Sequence, residues 1–170
     1  MMLGRCWWWL VVALAAPGTV LAQEPGARPP TVRAILFYSP TCPHCADVIN
    51  EGLPPILARY GEQLQIAGVN TATPGGEQLY RAAIESLTIP PERVGVPTLI
   101  AGSTVLVGSV EIPGRLPGIV DAALADAGID WPEVPLIRQA LAAQGMATAR
   151  RDPAPEPAAA FSRLTSLSGL

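Results

Sequence analysis

A chain of 170 residues has room for one domain of ordinary size with terminal additions, and a core of that size folds without metal or disulfide staples. Its formal charge of −3, with 11 Lys and Arg spread thinly, offers no basic stripe of the kind a phosphate backbone requires, which excludes nucleic acid as a partner. The 19 prolines and 16 glycines gather at the two ends and at turns without a periodic tract, so the middle of the chain reads as folded.

The chain opens like a signal peptide. Arg5 precedes an apolar run from Cys6 to Ala16, a Pro17-Gly18 break follows, and small residues at Val20 and Ala22 suit cleavage before Gln23. Residues 1–22 are therefore expected to direct export to a periplasmic or other extracytoplasmic compartment. The run is shorter than the roughly 20 residues of a membrane-spanning helix. Left uncleaved it would instead tether the domain, an alternative that the interface-seeking Trp7 to Trp9 suit. Residues 23–30 form a Pro-rich linker.

From Val32 to Tyr38 a β-branched, apolar run predicts a buried strand that leads directly to Cys42. Between Ala46 and Tyr60, Val48, Ile49, Leu53, Ile56, Leu57 and Tyr60 recur at helical spacing, and Pro54 and Pro55 are expected to kink or interrupt that helix. After Gly61, residues 64–69 alternate as a second strand would. Thr73 can cap the next helix and Pro74 fits its first turn; Leu79, Tyr80, Ala83, Ile84 and Leu87 form its apolar face, and Ile89-Pro90-Pro91 ends it.

Residues 97–101 and 104–108 predict two strands joined by a Gly102-Ser103 hairpin turn, followed by a helix over 116–127 that Gly128 stops. The order β-α-β-α-β-β-α over residues 31–128 is that of an α/β domain. An amphipathic extension follows at 129–148, with Leu136, Ile137, Ala140 and Leu141 on one face suited to packing. Residues 149–170 are Pro- and Ala-rich with few large apolar groups, and are expected to form a mobile tail.

Cleavage after Ala22 would remove Cys6 and leave Cys42 and Cys45 as the only cysteines, in a compartment where disulfides persist. Closing so short a loop gains little entropy, so the pair suits chemistry better than stapling. Thiol–disulfide exchange needs a thiolate, and at a helix N-terminus Cys42 would face unpaired N–H groups and the positive end of the dipole. Pro43 costs nothing in a first turn. His44, the sole histidine, is expected to add a donor or a cation beside the same sulfur. Cys45, one turn on and deeper, would resolve the mixed disulfide. A stabilised thiolate makes the couple more oxidising, which predicts an oxidising to intermediate potential.

Cys42, His44 and Cys45 are also ligand types for copper or zinc, and a metal-binding module is the competing reading. A closed zinc site needs four ligands, and after cleavage no further histidine or cysteine remains to complete one. Haem attachment requires histidine after the second cysteine, where Ala46 stands. The dithiol itself calls for no cofactor. Val96-Pro97 by itself reads as a tight turn.

The strand Ala34-Ile35-Leu36-Phe37-Tyr38, the stretch Ser39-Pro40-Thr41-Cys42-Pro43-His44-Cys45, and Gly95-Val96-Pro97-Thr98 with Pro97 52 residues after Cys45 together resemble the thioredoxin superfamily. The Pro43-His44 pair resembles that of DsbA-type oxidants. The FYSPTCPHC stretch is similar to thioredoxin-like domains accompanying vitamin K epoxide reductase-type membrane proteins.

The resemblance implies a thioredoxin-like three-layer sandwich, a central mixed sheet flanked by helices, with the dithiol starting the first helix beside a cis Val96-Pro97 bond. It implies a protein-disulfide oxidoreductase whose partners are protein thiols and disulfides or a membrane quinone-linked redox protein. Val96 and Pro97 would meet an extended client segment there. Three departures mark this chain. No DsbA-type helical insertion fits between Cys45 and Pro97, Thr41 replaces the usual tryptophan, and Leu36 stands where thioredoxin carries a buried acid that assists Cys45.

Overall fold

The apolar run VRAILFY forms strand β1 (Val32–Tyr38), with five of its seven residues buried because both faces of the strand are covered. It comes from a computed structural model that describes residues 29–146, so the expected leader, residues 23–28 of the linker and everything after Met146 lie outside the described residues.

β1 is central. It runs parallel to β2 (Leu64–Asn70) and antiparallel to β3 (Thr98–Ala101), which pairs antiparallel with β4 (Thr104–Val107), in the order β2-β1-β3-β4. A parallel pair needs a crossover, and here it consists of α1 (Pro43–Asp47), a π-helical turn (Val48–Gly52) and α2 (Leu53–Tyr60). Three further helices follow: α3 (Pro74–Ser86), α4 (Gly108–Leu124) and α5 (Pro135–Ala143).

Side chains alternate across β1, so Ile35 and Phe37 enter one face and Val32, Ala34 and Leu36 the other. The first face packs on α3 and α5 through Leu79, Tyr80, Ala83, Ile137 and Leu141. The second packs on α2 and α4 through Leu53, Ile56, Ile112, Leu116 and Val120. The result is an α/β, thioredoxin-like three-layer sandwich without a helical insertion between the dithiol and Pro97.

Two elements differ from the sequence reading. The first helix starts at Pro43, in keeping with a proline in its first turn, but its interruption lies before Pro54 and Pro55 and not at them. Pro54 and Pro55 lack N–H groups for the carbonyls of Asn50 and Glu51. The chain loosens there by one residue, Leu53 N–H bonding to the carbonyl of Val48 in π register, and the prolines fall harmlessly in the first turn of α2.

The helix expected over 116–127 begins eight residues earlier at Gly108 and ends at Leu124, and β4 accordingly stops at Val107. Pro113 and Pro117 lie inside it. Burial of Ile112, Leu116 and Val120 against the sheet outweighs the two bonds those prolines omit.

Gly128 has φ +83°, and a Cβ there would sit 2.4 Å from the Thr31 carbonyl oxygen, so only glycine lets the chain turn back so closely. Ile129 then bonds to both Thr31 and Arg33, extending the sheet beside β1. Trp131, Val134, Ile137 and Leu141 are buried in the α3 face, which makes the segment 129–146 part of the core.

Candidate active site

The turn after β1 builds the site. Cys42 N–H donates to the Ser39 carbonyl at 3.2 Å, and Cys42 itself is the extended N-cap of α1, its carbonyl accepting from Cys45 N (3.1 Å) and Ala46 N (3.2 Å). Pro43 occupies the first helical turn and is exposed. One helical turn brings the cysteines within 3.2 Å of each other, both as free thiols. Cys42 is half-buried and within reach of solvent, whereas Cys45 is 1% exposed.

The segment before β3, the strand that pairs directly with β1, completes the site. The Cys42 thiol donates to the Val96 carbonyl at 3.5 Å, and the Val96-Pro97 peptide is cis, in line with the expectation. Pro97 is buried and Val96 half-buried. Residues 54 apart in sequence thus meet at the reacting sulfur.

Burial pushes the Cys45 thiol up to about 12; the Ser39 N–H, 3.5 Å from its sulfur, opposes this, and hydrogen bonding to and charge on Cys42 add to it. Leu36, which stands where an acid was noted as missing, is fully buried among apolar groups.

His44 behaves differently from expectation. No hydrogen bond joins it to Cys42. Its side chain is 69% exposed, and Nδ1 lies 3.4 Å from Ser109 Oγ and 3.6 Å from Asp47 Oδ2. On a helix, residues two apart do not face one another, which turns the imidazole toward α4 and the next turn of its own helix. His44, Val96, Pro97, Val107 and Ser109 line an open cleft of about 370 Å³, and the exposed Val110 stands at its edge.

Two anchors for the Val96 segment escaped the sequence reading. Tyr80 belongs to the apolar face of α3, and its ring packs on Phe37 at 4.8 Å between centroids. Its hydroxyl, however, donates to the Gly95 carbonyl (2.7 Å) and accepts from the Gly95 N–H (2.8 Å), beside the hydroxyl of Thr98. The signal was a tyrosine on a buried helix face, since a buried phenol requires a partner.

Arg93 is the second anchor. It donates to the Val105 carbonyl and to Glu111, and Glu111 also accepts from the Val107 N–H at 2.9 Å and from Arg115. Burial would raise the Glu111 carboxyl, but the Val107 N–H together with Arg115 and Arg93 holds it below its ordinary value.

Comparison with protein-family models, curated proteins and solved structures finds no match. Among the described residues no group of three or more His, Cys, Asp or Glu is arranged to hold a metal ion, and no helix is long and apolar enough to cross a membrane.

Proposed function

We propose that the chain is an exported protein-disulfide oxidoreductase that exchanges disulfides with protein clients or a membrane redox partner through Cys42 and Cys45. The observation that carries this reading is the half-buried Cys42 thiol, 3.2 Å from the buried Cys45 and bonded to the backbone of Val96, a residue that lines an open cleft. Export rests on the leader-like residues 1–22.

In the reducing direction the Cys42 thiolate attacks a client disulfide, a mixed disulfide forms, and one client sulfur leaves as thiolate. The Cys45 thiolate then attacks the Cys42 sulfur. The Cys42–Cys45 disulfide forms, the second client sulfur leaves, and two electrons have passed from protein to client. Oxidation of a client dithiol is the same path reversed. The Val96 N–H makes no hydrogen bond among the described residues, so it is available to an extended client backbone while Cys42 engages the sulfur.

The test is turnover of a disulfide-bearing protein by the parent and by Cys42→Ser. Loss of all turnover in the variant is expected, and retention of it would defeat the proposal. Equilibration with glutathione then sets direction: a potential near about −120 mV marks a disulfide donor, and one near about −270 mV a reductant.

A further inference from the structure

We infer that Tyr80 is a positioning residue for client capture, holding the backbone of Gly95 and Val96 where a protein client docks while leaving the dithiol chemistry untouched. The inference rests on the oxidoreductase reading above.

Gly95 has no side chain with which to anchor its own segment, and its neighbour Val94 is exposed. One phenol satisfies both its backbone groups, as donor to the carbonyl and acceptor from the N–H. Thr98 also donates to that carbonyl, but the Gly95 N–H has Tyr80 as its partner. Tyr80 is 9% exposed, so water does not readily replace the lost hydroxyl.

The clamp acts one residue before Val96, whose carbonyl meets the Cys42 sulfur and whose N–H makes no hydrogen bond among the described residues. Arg93, held to Val105 and Glu111, fixes the segment on its other side, so freedom at Gly95 passes directly to Val96. A protein client pairs its backbone with this edge. A small disulfide has no backbone to pair and feels only the sulfur.

Tyr80→Phe retains the packing on Phe37 and removes the clamp. In the full chain, with dithiothreitol as reductant, KM for an unfolded disulfide-bearing protein should rise about fivefold with kcat unchanged. The rate with a small aromatic disulfide and the potential of the Cys42–Cys45 couple should stay at parental values, and Gly95 amide exchange should accelerate about tenfold.

An unchanged KM in an active protein overturns the inference, as does an equal loss with the small disulfide. A parent no more active than Cys42→Ser overturns the oxidoreductase reading and this inference with it. Should Tyr80→Phe fail to fold, Thr98→Val decides: it leaves both Tyr80 bonds to Gly95 in place, so KM for the protein client should stay parental, and a fivefold rise there would assign the hold on Gly95 to Thr98 and overturn the inference.

Discussion

Cys45 must act as a thiolate to release a client from Cys42, yet burial and its neighbour push its thiol up from 9.0 to about 12. At any pH below 9 that rise cuts the thiolate fraction about 1,000-fold. The more basic thiolate is a better nucleophile, and with a Brønsted coefficient of about 0.4–0.5 it recovers about 16-fold to 32-fold. The net result is resolution about 30-fold to 60-fold slower than an unperturbed cysteine would give.

Part of the rise comes from Cys42, whose thiol and charge are absent in the mixed disulfide, so the observed slowing should approach these values from below. The assay is release of the second client thiol from a preformed mixed disulfide on Cys42, followed after a pH jump. The rate should climb about tenfold per pH unit from pH 6 to 9 without a plateau, since the group is still protonated throughout that window. A plateau below pH 9 would refute the burial argument.

Two predictions concern the frame that holds the site. In Gly76→Ala the new Cβ would sit 1.9 Å from the Asn70 carbonyl oxygen, so the start of α3 must move away from the end of β2. Urea unfolding should show a loss of about 3 kcal/mol despite alanine's better helix propensity, and a parental midpoint would contradict the close approach. Glu111→Gln keeps an acceptor for the Val107 N–H but loses the charge shared with Arg93 and Arg115, which should cost about 1–2 kcal/mol at neutral pH. Because the folded carboxyl lies below its ordinary 4.5, its contribution is complete above that value and disappears as pH falls through the folded one. The gap between parent and variant, measured by thermal melting, should close on acidification; a constant gap would show that charge is irrelevant there.

Short-range patterns were legible wherever burial followed a simple period. The buried strand from Val32 to Tyr38 and the cap at Thr73 both lie where the residues suggested, the latter with its hydroxyl accepting from the Gly76 N–H. The early start of α4 was illegible because Pro113 and Pro117 argue locally against a helix, and only the sheet beneath supplies the burial that overrides them. The orientation of His44 is illegible for a related reason: it stands between the two cysteines in sequence, but the helix turns its imidazole toward Ser109 and Asp47.

The sequence by itself determined the dithiol and its place after a buried strand at the head of a helix, because those follow from residues within a few positions of one another. The resemblance implied that Val96-Pro97 lies beside the dithiol, but tertiary structure alone decided that the Val96 carbonyl meets the Cys42 sulfur across 54 residues and that one phenol from α3 clamps Gly95. It also decided that residues 129–146 complete the core. Such contacts join segments whose separation in sequence carries no period, and they exist only once the two faces of the sheet have been covered.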